Sequence, residues 1–314
     1  MINRKNVFIL HSDAVLPTGM NLQLATVLAK ADLGRFDAKK DESDGLNKTI
    51  GHMDFIQGKE ESARIFEVLD ILLNNLLNKL HRSLQPLPLL LSLPNNISKN
   101  MFDIWLAKSH HFKLISKVSL YHENGCVFIE TMLNEMKNCD ALISISLDNP
   151  VADFNHYAEK KELFSSSYPW GIIPSEGAAG VVLIKANLLN TLKLTAESKI
   201  LGYSVDYDTT DRRGCSRLVK KHSEKTTNFG KIYSDMTNSR AHSEDYGFAI
   251  GARSECFSEP DNVTQINEFW GYLRNASALT CLALVSREIS IELNATMFLF
   301  GSEKECSILN LSSQ

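Results

Sequence analysis

The sequence predicts an α/β fold in alternating layers. Two observations carry this reading. Short apolar runs of strand length alternate with longer stretches whose apolar residues recur at helical spacing. The chain, 314 residues and 44% hydrophobic, holds enough apolar material for one large core or two fused ones.

In chain order, residues 7–10 read as a buried strand and Pro17-Thr18-Gly19 as a turn into a helix over 21–29. Residues 36–60 are polar and contain glycine, so a long loop or irregular excursion is expected there. Within it the acidic cluster Asp41-Glu42-Ser43-Asp44 reads as solvated. From 60 to 80 a strong amphipathic helix is predicted, with Ile65, Val68, Leu69, Leu72, Leu73 and Leu76 on one side. Residues 87–93 form a buried strand with Pro88 at its start, where proline is tolerated.

The next unit is strand 113–120, the polar turn Tyr121-His122-Glu123-Asn124-Gly125, helix 126–137 and strand 141–147. Such a unit sets a helix N-terminus at the carboxyl edge of a strand, where α/β proteins tend to keep their sites. The run Gly177-Ala178-Ala179-Gly180 allows close backbone packing on entry to another buried strand. Strand 199–205 opens what reads as a second half. It continues with a short helix over 215–222, strand 231–234, an Ala/Leu-rich helix over 276–285 and a closing hairpin of 297–300 with 307–311. The order of elements points to two related halves, 1–187 and 188–314.

Composition narrows the function. With 33 basic and 37 acidic side chains the net charge is -4, and no arm or face is basic, which argues against nucleic-acid binding. The six cysteines are dispersed with no CxxC pair, so neither structural zinc nor another metal or cofactor is expected. Reduced thiols in the cytoplasm are expected instead. The apolar run 7–10 is too short for a signal segment, and 84–93, interrupted by Gln85, Pro86 and Pro88, is too short to span a bilayer.

The motif order resembles the beta-ketoacyl synthase branch of the thiolase-like superfamily. Leu16-Pro17-Thr18-Gly19 is similar to the turn after that family's first strand, and 140–148 to the strand after its nucleophile helix. Pro174-Ser175-Glu176-Gly177-Ala178-Ala179-Gly180, the most specific match, resembles the family's G-E-G-A-G-A run. Residues 199–203, 271–278 and Phe300-Gly301 resemble, in order, the start of the second half, a histidine-bearing turn and a glycine-rich loop. The resemblance implies a layered αβαβα fold of two pseudo-duplicated halves and a dimer formed through the strand 113–120.

It also implies where the catalytic residues should fall. In such synthases a cysteine at the tip of the central helix attacks an acyl thioester, and two histidines stabilise the enolate formed by decarboxylation. Here the nucleophile position falls at His122, or at Leu120 on a gap-free alignment. The histidine positions fall near Ser234-Asp235 and at Tyr272. None of the three roles is filled by the expected residue type. Cys126, in or near the first turn of the same helix, is either a displaced nucleophile with His122 as base or a small buried packing residue. His122 and Glu123 are either an acid–base pair or two surface turn residues. Asp235, Tyr272 and Arg274 are candidates to line a remnant pocket, with Arg274 suited to an anionic ligand or else a plain surface charge. Glu176 is expected to hold its loop in shape, and the stretch 240–249 to serve as a helix cap.

Two functions follow from the resemblance. One is a synthase-like protein without condensing activity, binding an acyl chain or pairing with itself or a true synthase, with acyl-carrier protein or acyl-CoA as further partners. The other is an acyltransferase or thioesterase using Cys126 or His122. A purely structural dimer is the third.

Overall fold

The computed structural model describes residues 6–224, 226–289, 294–301 and 304–314; the basic start of the chain, residues 1–5, lies outside them. The first part threads β1 (Val7–Val15), α1 (Leu22–Lys30), β2 (Asp37–Lys40), β3 (Asn47–Ile50), α2 (Glu61–Leu77) and β4 (Leu87–Ser92). It continues with α3 (Lys99–Lys108), β5 (Ile115–Tyr121), α4 (Gly125–Glu135), β6 (Ala141–Asp148), α5 (Phe154–Glu159) and β7 (Gly177–Lys185). After α6 (Ala186–Thr191) come β8 (Ser198–Asp206), α7 (Gly214–Ser223), β9 (Lys231–Ser234), α8 (Arg240–Ala252) and β10 (Val263–Gln265). The chain closes with α9 (Ile266–Trp270), α10 (Ser277–Glu288), β11 (Asn294–Phe300) and β12 (Cys306–Ser312).

All the strands except β2 and β3 join one hydrogen-bonded order, β10-β9-β11-β12-β8-β1-β7-β6-β4-β5. In the first part β1, β7 and β6 are successively antiparallel, and β6, β4 and β5 are parallel. In the second part β8, β12 and β11 are antiparallel, and β11, β9 and β10 parallel, so the same path is walked twice. Among the described residues the two runs of strands pair at Phe8–Lys199 and Ile9–Ser198.

Period-two alternation sorts the side chains of each strand into layers. On β7, Ala179, Val181 and Leu183 join a central core, while Ala178, Val182 and Ile184 join an outer one beneath α2 and α3. On β11, Met297 and Leu299 face the same central core, while Phe298 and Phe300 face an outer layer with α7 and α8. The result is the αβαβα sandwich that the sequence predicts. Its middle layer is α4 and α10. A helix packed between two sheets must be apolar on every side, and every residue of α10 from Ser277 to Ser286 is buried. Two of its hydroxyls are satisfied within the helix: Thr280 donates to the Ala276 carbonyl at 2.8 Å and Ser286 to that of Leu282 at 2.8 Å. The tips of α4 and α10 touch so closely that a Cβ at Gly125 would lie 2.7 Å from the Ala278 Cβ.

Two expectations are corrected. Residues 36–60 are not all irregular, since β2 and β3 pair as a hairpin. Asp41 in its turn is not solvated but buried, its carboxylate accepting from the Ser43 N–H at 2.9 Å and the Ser43 hydroxyl at 2.7 Å. Pro88 stands second in β4, at the start of the strand as expected, and the register with β5 shifts between Leu87 and Pro88. No helix among the described residues is long and apolar enough to cross a membrane.

Candidate active site

β5 ends at Tyr121, and the chain turns through His122, Glu123 and Asn124 into α4. His122 is exposed, and its Nδ1 donates to the Leu93 carbonyl at 2.9 Å. Glu123 turns elsewhere: its carboxylate accepts from the Thr131 hydroxyl at 2.8 Å. The two neighbours are thus held by separate partners. Leu120, the other alignment of the nucleophile position, is half-buried in β5 and packs toward the outer core under α2.

Cys126 sits in the first turn of α4, where a helix N-terminus ordinarily favours a thiolate. Its surroundings oppose that. The residue is 0% exposed. Its thiol donates to the Leu299 carbonyl at 3.5 Å and accepts from the Ser307 hydroxyl at 3.4 Å, so β11 and β12 cover it. Tyr203 on β8 donates to the Cys126 carbonyl at 2.6 Å and fixes the turn. Burial pushes the thiol well above its ordinary pKa, and the negative charge of Asp235 adds to the rise.

Asp235 follows β9 directly and is buried. Its carboxylate accepts the Phe300 N–H at 2.7 Å. Burial raises its pKa to about 7, against the pull of that hydrogen bond. Tyr272 follows Gly271, whose φ of +72° and whose approach to the Ile173 carbonyl leave no room for a Cβ. The Tyr272 N–H donates to the Ile173 carbonyl at 2.7 Å, and burial raises its phenol, helped by the charges of Tyr157, Asp148 and Asp235. Asp235 therefore lies within electrostatic reach of both Cys126 and Tyr272.

Arg274 lies two residues on, with φ of +48°. Its guanidinium is filled: Nε and Nη2 donate to the two Asp148 carboxylate oxygens at 2.8 and 2.5 Å, and Nη1 to Asp153 at 2.5 Å. Glu176 is clamped likewise, accepting from Arg64 Nε at 2.9 Å, Arg64 Nη2 at 2.6 Å and the Met53 N–H at 2.9 Å. Each clamp ties a loop to the end of a strand, Arg274 to β6 and Glu176 to β7.

Sequence reasoning missed two features. An open cleft of about 170 Å³ borders Tyr272, with Phe36, Phe164 and Ile173 as its apolar wall and Thr237, Asn267 and Glu268 as polar neighbours. His242, in the first turn of α8, stacks on Phe300 with centroids 4.6 Å apart, and its Nδ1 accepts from the Thr237 N–H at 3.1 Å. Burial lowers its pKa to about 4, which keeps the ring neutral. The only local signal in the stretch 240–249 was a capped helix start, and Ser239 is that cap.

No protein-family model matches the chain, and no curated protein does. Solved structures do. A structure of a type II polyketide synthase acyl-carrier protein in complex with its ketosynthase bound to the hexaketide aligns with TM-score 0.74 at 11% identity, over 99% of this chain and 100% of that one. This is the ketosynthase fold. The beta-ketoacyl synthase from Burkholderia phymatum aligns at TM-score 0.72 and 9% identity, over 99% of this chain and 100% of the other. The ishigamide ketosynthase/chain length factor aligns at 0.70 and 11%, over 98% and 99%. At these identities the likeness establishes the thiolase-like fold, and the residues of this chain must carry any argument about chemistry.

Proposed function

We propose that this ketosynthase-fold protein does not form carbon–carbon bonds and acts instead by binding, as an acyl-chain receptor or as the non-condensing partner of a synthase. The observation that carries this is the state of Cys126: covered by two strands, hydrogen-bonded, and pushed up by burial and by Asp235. Condensation needs a thiolate that reaches a thioester and donors that stabilise an enolate oxyanion. At the two positions aligned with the family's histidines stand Asp235 and Tyr272. An ionised Asp235 repels both the thiolate and the enolate. Acyl transfer or thioester hydrolysis through Cys126 and His122 is the weaker reading. It needs the same buried thiol, whose hydrogen bonds run to Leu299 and Ser307, while His122 is exposed and bonds to Leu93.

The cleft beside Tyr272 supports binding, since an apolar wall with a few polar groups suits an acyl chain on a polar carrier. β5, at the end of the strand order, is the edge at which a second copy or a synthase adds its own strand. We read the chain as two halves, 1–187 and 188–314, joined through α6; the repeated strand path supports this. The six unpaired cysteines support a reducing compartment such as the cytoplasm.

Two measurements on one sample test this reading. Given acyl- and malonyl-loaded carrier protein, the protein binds the carrier and yields no ketoacyl product. Hydrogen exchange on the same assembly protects the amides of β5. Ketoacyl product formed without an added synthase contradicts the reading. β5 amides that exchange freely in a dimer contradict the pairing.

A further inference from the structure

We propose that Asp70, Asn74, His110 and His111 form a binding site for a divalent transition-metal ion, zinc above all, where α2 meets the turn that leads into β5. Asp70 and Asn74 lie one turn apart on α2, so their side chains leave the same face. A 3-10 turn over His110–Leu114 brings two imidazoles against them, with ring centroids 3.9 Å apart.

The donor atoms already cluster. Nε2 of His111 lies 2.9 Å from the Asp70 carboxylate, and Nε2 of His110 lies 2.9 Å from the Asn74 amide oxygen. The Asn74 amide nitrogen donates to the other Asp70 oxygen at 3.2 Å. One ligand atom each from Asp70, His110 and His111 falls within 4.8 Å of the other two. A tetrahedral zinc with bonds of about 2.0–2.1 Å has ligand-to-ligand edges of roughly 3.3–3.4 Å. The hydrogen-bonded pairs would part by a few tenths of an ångström and the wider pairs, within 4.8 Å, would draw together by up to about 1.4 Å to admit the ion.

His111 is 1% exposed, so the fold fixes the position of its ring. Two imidazoles with a carboxylate and an amide oxygen suit zinc and its borderline neighbours; calcium and magnesium call for oxygen ligands throughout. His110 is exposed and Asp70 half-buried, which gives the ion an entry path and a place for water. By contrast, the cluster Cys215, Asp245 and Cys306 is wholly buried, and the Asp245 carboxylate already accepts the Cys215 N–H at 3.0 Å. The bound ion would staple α2 to the turn before β5. The site does not depend on the acyl-binding reading.

The test uses the full chain stripped by a chelator, then titrated with Zn(II) against a chromophoric competitor and with Co(II) followed by its visible absorption. One ion binds per chain, the thermal midpoint rises by a few degrees, and Co(II) shows the intense bands of a tetrahedral nitrogen–oxygen site. His110→Ala, at an exposed position, weakens binding by more than about 10-fold, the loss typical even of a residue that only orients a ligand. Asp70→Asn does the same while keeping the size of the side chain. Far-UV circular dichroism confirms that both variants fold. The proposal is overturned by no saturable binding below about 0.1 mM. It is also overturned by binding that both variants retain, as it would be if the ion sat on cysteines.

Discussion

Replacing Arg274 with alanine lowers the stability of the fold by about 3–5 kcal/mol, the cost of removing one member of a buried ion pair. Asp148 is the reason. Its side chain is 0% exposed, and among the described residues it accepts, beyond Arg274, only the N–H groups of Asn149 at 2.8 Å and Asn275 at 3.2 Å. Without the guanidinium a carboxylate is stranded at the end of β6. Urea unfolding with an unchanged m-value reads the loss as a shift in midpoint. Adding Asp148→Asn to the variant recovers a large part of it, because no charge is then left unpaired. A loss below about 1 kcal/mol, the range of exposed pairs, would mean that Arg274 is free to hold a ligand.

Asp235→Asn reshapes the dependence of stability on pH. The folded-state pKa of Asp235 is raised from 3.8 to about 7. Between these values the folded protein holds a proton that the unfolded chain has released, so stability falls as pH rises through this window and levels off above about 7. Each pH unit is worth about 1.4 kcal/mol. Asparagine keeps an acceptor for the Phe300 N–H and never ionises. The variant therefore matches the wild type near pH 4 and exceeds it by on the order of 3–4 kcal/mol near pH 8. Urea midpoints across that range check this. Parallel curves for the two proteins would place Asp235 in contact with water and weaken the electrostatic case against a Cys126 thiolate.

The fold was legible wherever burial writes a simple period into the chain. β6 and β7 are apolar runs because both faces are covered, and α2 carries its buried leucines at helical spacing. The β2–β3 hairpin was not legible: Asp37 to Lys40 buries none of its four residues, so no alternation marks it. α3 was missed because only Phe102 and Leu106 of its ten residues are buried. At the site, motif order singled out Cys126, Asp235 and Tyr272 as candidates. Their environments could not be read, because the covering groups come from far along the chain. Leu299 and Ser307 reach Cys126 across 173 and 181 residues, and Asp148 reaches Arg274 across 126. Arg274, expected to bind an anion or to be a surface charge, is occupied by the chain's own carboxylates for the same reason. The metal-ligand cluster was equally hidden, since Asp70 and His111 are 41 residues apart and form no spaced motif.

The central claim concerns one sulfur atom, and intact-protein mass spectrometry with peptide mapping addresses it most directly. Folded protein is incubated at neutral pH with a long-chain acyl-CoA, and in parallel with a small alkylating reagent. The account predicts no acyl adduct on Cys126. It predicts alkylation there at least about 100-fold slower than at half-buried Cys139, because reaction must wait for an opening of the fold that costs on the order of 3 kcal/mol. Rapid, stoichiometric acylation of Cys126 in the folded protein would contradict the account, for it would make the tip of α4 a working nucleophile.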